Sequence, residues 1–182
     1  MKQKLLCIMV LLSLSLVGCS NSTNDINVMK ADKAETVVKS EYVSRMKRAV
    51  ENKKSEEYKE KYSESEIIDE LMYGGERDSY KDFVEQISTF RTEDEDINKL
   101  HDKLIEVSLD LYNMYDEKIN LGIEEEDIYN KSEELKRDIT EDEDTKLDEI
   151  MERKDILKDM IDNQEEHLQN ITEEISDTLG LN

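Results

Sequence analysis

Residues 97–121 read INKLHDKLIEVSLDLYNMYDEKINL, and this stretch decides the fold. Ile97, Leu100, Leu104, Val107, Leu111, Met114, Lys118 and Leu121 return at intervals of three and four, which places them on one stripe of an α-helix. Ile105, Tyr112, Tyr115 and Ile119 widen that stripe beyond a two-helix seam. The helix is therefore expected to feed a core shared by several helices. Gly122 is its expected C-cap.

Working downstream, the pattern weakens over about 124–138, where a short helix with Ile128 and Leu135 inward is expected. The last helix is expected from about Glu141 to Leu179, on the repeat Leu147, Ile150, Lys154, Leu157, Ile161, Gln164, Leu168, Ile171, Ile175 and Thr178. Unbroken, it would approach about 60 Å. Lys154 and Gln164 interrupt its apolar seam, so Lys154, Leu157, Ile161, Gln164 and Leu168 are the expected face for a partner or a second copy.

Upstream, a helix over about 78–90 carries Tyr80, Phe83, Val84, Ile87 and Phe90 and is expected to fill the bundle core. A first helix is expected from about Val28 to Tyr62, with Val38, Tyr42, Met46 and Val50 as its stripe, Ala34 before and Tyr58 and Tyr62 after. Ile67, Ile68, Leu71 and Met72 form an apolar knot, which Gly74-Gly75 is expected to end as a cap or reversal. No segment alternates long enough to argue for a sheet. The expected class is all-α: an elongated helical bundle, or coiled-coil-like hairpins, of three to five helices.

The chain has 182 residues, which suits one modest domain. It sets 47 Asp and Glu against 25 Lys and Arg, for a net charge of −22, so a phosphate backbone is the wrong partner. Thr92-Glu93-Asp94-Glu95-Asp96 recurs as Thr140-Glu141-Asp142-Glu143-Asp144. Thr92 with Glu95, and Thr140 with Glu143, have capping-box spacing, which accounts for the pentads better than a hard-cation site does. His101 and His167 are expected as flank residues, isolated from ligand spacing. The eight tyrosines suit half-buried core edges. No phosphate-cradling loop, nucleophile elbow or metal motif is present, so neither an enzyme nor a cofactor is expected.

The N-terminus supplies an address. Lys2 and Lys4 precede an apolar run from Leu5 to Val17, which ends in Leu16-Val17-Gly18-Cys19. This order of basic, apolar and small residues marks a secretory signal, too short for a spanning helix. The four residues resemble the lipobox of bacterial lipoproteins. That resemblance implies cleavage after Gly18, a diacylglyceryl thioether on Cys19 and acylation of the new amino terminus. Residues 1–18 are then the signal peptide, 19–27 a lipidated polar tether and 28–182 the helical domain. Cys7 leaves with the signal, so no thiol remains free, and losing Lys2 and Lys4 takes the charge from −22 to −24.

The helical body behind this signal, rich in Glu, Lys and Tyr, resembles the cell-wall-binding lipoproteins of low-GC Gram-positive bacteria, notably at Leu111-Tyr112-Asn113-Met114-Tyr115-Asp116 and in the last helix. The expected function is a membrane-anchored extracytoplasmic module that binds an envelope protein or wall polymer. The alternative is a structural or regulatory lipoprotein that self-associates through its last helix.

Overall fold

The computed structural model describes residues 26–53 and 60–181. The signal segment 1–18, Cys19, the tether as far as Asp25, and Tyr58 lie outside the described residues. The described chain is an all-α, elongated bundle of four helices with one small strand pair. Strand β1 spans Glu35–Val37 and helix α1 Lys39–Lys53; α2 spans Ile68–Ile87, β2 Phe90–Thr92, α3 Glu95–Leu135 and α4 Glu141–Leu179.

Each helix runs antiparallel to the one before it. Asn52 bonds Gln86 of α2 while Tyr42 sits against Phe90 of β2, which fixes α1 on both. His101 bonds the Ile87 carbonyl and Arg77 pairs with Asp116, which fixes α2 on α3. Arg137 with Glu143, Arg153 with Glu117 and Gln164 with Asp110 align α3 with α4. α3 is central, because α2 and α4 both pack along it. Its wide apolar stripe fills the core as its periodicity implied: Ile97, Leu104, Leu111 and Ile119 are all fully buried. Tyr80, Phe83, Val84, Ile87 and Phe90 plug the core as expected, but the helix that carries the first four starts at Ile68 and ends at Ile87, and Phe90 enters from β2.

Several local expectations are corrected. No helix runs from Val28 to Tyr62; Ala31–Lys33 is a 3-10 turn and Glu35–Val37 is a strand paired in parallel with Phe90–Thr92. Three residues are too few to show alternation, so composition hid this pair. Val38 is consequently 61% exposed rather than inward. Gly74 and Gly75 lie inside α2, not at its end. A Cβ at Gly74 would sit 2.8 Å from the Tyr62 ring, so glycine is there for close approach. Gly122 likewise caps nothing; the Asp69 side chain occupies the space its Cβ would need. The separate helix over 124–138 does not exist, since α3 runs unbroken to Leu135, whose side chain is 58% exposed.

The termini follow capping chemistry. Thr140 and Glu143 form the expected capping box. At α3 the N-cap is Asp94, not Thr92, because Thr92 is the last residue of β2; Asp94 accepts from the amides of Asp96 and Ile97. Lys136 closes α3 in the left-handed region, and Gly180 closes α4 the same way.

Candidate functional site

The feature most open to a partner is the far end of the α3–α4 hairpin. Helix α2 begins at Ile68, abreast of Gly122, and beyond that level only α3 and α4 run side by side among the described residues. Residues 123–153 thus form a two-helix arm about 20 Å long. A thin apolar seam holds it, with Leu147 and Ile150 buried and Ile123 and Ile128 half-buried. Ion pairs do the remaining work. Arg137 grips Glu143 through two bonds of 2.7 Å, Lys146 reaches Glu124 at 3.4 Å, and Arg153 clasps Glu117 at 2.6 and 2.9 Å. The Arg137 fork and the Thr140 amide hold the Glu143 carboxyl well below the usual carboxylate range. Tyr129, Leu135 and Met151 stay exposed on the arm.

The arm joins the body at a three-helix knot. Lys154 of α4 donates to Asp69 of α2 at 2.5 Å and to Glu125 of α3 at 2.6 Å. Burial pushes the ammonium toward neutrality, and the two carboxylates outweigh it, so its pKa is raised. Asp69 lies over Gly122, so the missing side chain there gives the carboxylate its place. The lysine that broke the heptad seam is therefore a tie between three helices.

Inside the body, three polar networks link the helices, while Arg91 Nη1, Ser108 Oγ and Asn113 Oδ1 are buried without a hydrogen-bond partner among the described residues. His101 is 0% exposed, accepts from the Tyr42 hydroxyl at 2.8 Å and donates to the Ile87 carbonyl at 2.9 Å. The carbonyl can only accept, so Nε2 carries the proton, and Nδ1 is left to accept from Tyr42 in the neutral ring. Burial, with Arg91 nearby, pushes its pKa down to about 4. Tyr80 and Tyr115 stack at 5.9 Å and both donate to Glu165 of α4. Burial, and the Glu165 charge, push both phenols up. Arg77 binds Asp78, Asp116 and the Tyr62 hydroxyl. Each group of these three networks has a partner in the fold.

The described chain begins at the other end of the molecule from the arm tip. The Asn27 amide donates to Glu85 and the Met29 amide to the Ser88 hydroxyl. Ile26 and Val28 line a depression of about 280 Å³ with Glu106, Leu109, Asp110 and Asn113. From Leu109 to Leu135 along α3 is about 40 Å at 1.5 Å per residue.

The sequence-derived candidates land as follows. Leu157 and Ile161 are buried against α3, and Lys154, Gln164 and Leu168 are half-buried, so the face expected to await a partner is occupied within the monomer. The outward apolar residues of α4 are Met151, Ile156 and Met160. Thr178 is exposed and Leu179 takes the inward place. His101 is a core residue rather than a flank residue, while His167 is exposed. Tyr42, Tyr62, Tyr80, Tyr112 and Tyr115 are buried outright, deeper than core edges. Among the described residues no cluster of three His, Cys, Asp or Glu side chains is placed to hold a metal ion, and no helix is long and apolar enough to cross a membrane. Asp69 and Glu125 escaped the sequence; the signal was Lys154 itself, since a lysine in an apolar seam calls for carboxylates on neighbouring helices. Comparison with protein-family models, curated proteins and solved structures finds no match.

Proposed function

We propose that this chain is a lipid-anchored extracytoplasmic module that holds its acidic α3–α4 arm away from the membrane to bind an envelope protein. The lipobox at Leu16-Val17-Gly18-Cys19 supplies the anchor. One observation carries the reading: the chain enters the bundle beside Glu85 and Leu109, about 40 Å along α3 from the arm tip. From Cys19 to Ile26 the chain reaches at most about 25 Å, so the body stays near the bilayer and the tip is free to stand clear. Two or more acyl chains make such attachment stable.

The partner chemistry follows from charge. The arm, residues 123–153, carries 14 Asp and Glu against 5 Lys and Arg, a net −9, which favours a basic protein surface over an anionic wall polymer. Tyr129, Leu135 and Met151 add exposed apolar contact to that charge. Self-association is the second reading. Ile156 and Met160, one turn apart and exposed on α4, give it a surface.

Photo-crosslinkers at Tyr129, Leu135 and Met151, with Glu173 on the body as control, test the reading in intact cells. A single protein captured from the arm positions alone supports it. Adducts of wall-polymer mass would reassign the partner, and self-adducts through Met160 would favour assembly. Capture from Glu173 alone would refute a role for the arm.

A further inference from the structure

The net charge of −22 conceals a segregation. Residues 26–53 carry seven Lys and Arg against four Asp and Glu, a net +3, while the arm at the other end, residues 123–153, carries −9. Lys30, Lys33, Lys39, Lys47 and Arg48 are all exposed, and none pairs with another described residue. In a protein with so many carboxylates, five cations within nineteen residues that pair with none of the described ones need a reason.

Their placement gives one. Lys30 and Lys33 line a depression with Asn27, Val28, Met29, Glu85 and Thr89. Arg48 lines the neighbouring groove, which shares Glu85 and Thr89 and also holds Glu41, Asp82 and Arg45, the last paired with Glu35 and Glu41. Lys30 and Lys33 on one side and Arg48 on the other therefore flank one ridge at the C-terminal end of α2, beside the point where the tether joins the fold. Exposed Val28, Met29 and Val38 are interleaved with the lysines. Basic residues mixed with apolar ones suit the boundary between lipid headgroups and acyl chains.

We propose that the segment 26–48, through Lys30, Lys33, Lys39, Lys47 and Arg48, docks on anionic phospholipid headgroups. Docking turns the bundle so that the arm, with its net −9, points away from the surface, which sets orientation as well as attachment. The segment joins the tether directly, so once Cys19 is held its lysines are confined near the surface and weak individual contacts act together. Attraction is confined to within about 10 Å of the surface in 0.1 M salt, a reach that includes this segment and excludes the arm tip.

This inference rests on the anchored reading for the presence of a bilayer, and its test supplies the anchor chemically. The chain from Cys19, which contains every described residue, is coupled through its single thiol to a maleimide phospholipid in vesicles. Lysine acylation is then mapped by mass spectrometry on phosphatidylglycerol-containing and on neutral phosphatidylcholine vesicles. Lys30, Lys33, Lys39 and Lys47 should lose about threefold or more reactivity only on the anionic vesicles, and recover it in high salt. Lys131 and Lys136 on the arm should react equally on both. The variant K30E/K33E/K47E/R48E, altered only at exposed positions and checked for folding by circular dichroism, should lose lipid dependence at Lys39. Equal reactivity of the four lysines on both vesicles overturns the proposal, as does protection of Lys131 and Lys136, which would mean the rod lies flat. Protection by a soluble glycerol-phosphate polymer over neutral vesicles, without protection by phosphatidylglycerol, overturns it in favour of a wall polymer. A chain found without acylation in cells would defeat the anchored reading and leave this result unchanged.

Discussion

Lowering the pH should loosen the fold through one residue, His101. Its ring is sealed between the Tyr42 hydroxyl and the Ile87 carbonyl, with Phe90 edge-on and Arg91 nearby. In the unfolded chain histidine titrates near about 6.5. In the fold its pKa is pushed down to about 4, because burial and Arg91 both oppose the charged form. Between those values the unfolded state binds the extra proton, so stability contributed above the unfolded pKa is lost as pH falls through the window. At 1.36 kcal/mol per pKa unit the loss reaches about 3 kcal/mol by pH 4. Acidification also discharges the carboxylates of a −22 chain, which relieves repulsion and works the other way. The informative quantity is therefore a difference. Urea unfolding followed by circular dichroism, for the native chain and for His101→Gln, isolates it. The variant should start less stable near neutral pH, having exchanged an aromatic ring for an amide, and the gap should close by about 2–3 kcal/mol between pH 6.5 and 4. A gap that stays constant across that range would refute the neutral, buried imidazole.

Other expectations follow from the tie points. Gly122→Ala puts a methyl into the Asp69 side chain, and overpacking of that kind costs about 1–3 kcal/mol, read as a fall in the urea midpoint. Lys154→Met leaves Asp69 and Glu125 facing each other; a loss of about 1–3 kcal/mol is expected, largely restored in the triple variant K154M/D69N/E125Q, read from urea midpoints. Thr140→Ala removes one half of the capping box and should cost about 1 kcal/mol, with hydrogen exchange accelerated first at residues 141–147.

The long helices were legible because periodicity outlives local exceptions. The last one was readable from Glu141 to Leu179, bounds that its capping box and terminal glycine enforce. What escaped depended on tertiary contact. Glycine reads as a breaker, yet Gly74 and Gly122 sit mid-helix because Tyr62 and Asp69 press against them. Leu135 reads as inward by spacing, yet it lies where α3 has outrun α2 and has little left to pack on. His101 follows an inward leucine, and only the fold brings Tyr42 from 59 residues away to receive it. β1 was invisible for the same reason: its partner is β2, more than fifty residues along the chain.

The candidate surface shows the same division. Lys154, Leu157 and Ile161 were found as an interrupted apolar seam, and the sequence could not say that α2 and α3 supply the missing partners. The charge segregation, by contrast, was present in the sequence all along. A single net value averaged it away, and it became visible once the N-terminal segment and the arm were placed at different ends of the molecule.

The anchored reading is tested most directly by the mass of the N-terminal peptide from protein extracted from bacterial membranes. The expected result is a peptide beginning at Cys19 and carrying a diacylglyceryl thioether, abolished by Cys19→Ala. A peptide in which Gly18 and Cys19 remain joined, with the thiol free, would contradict it.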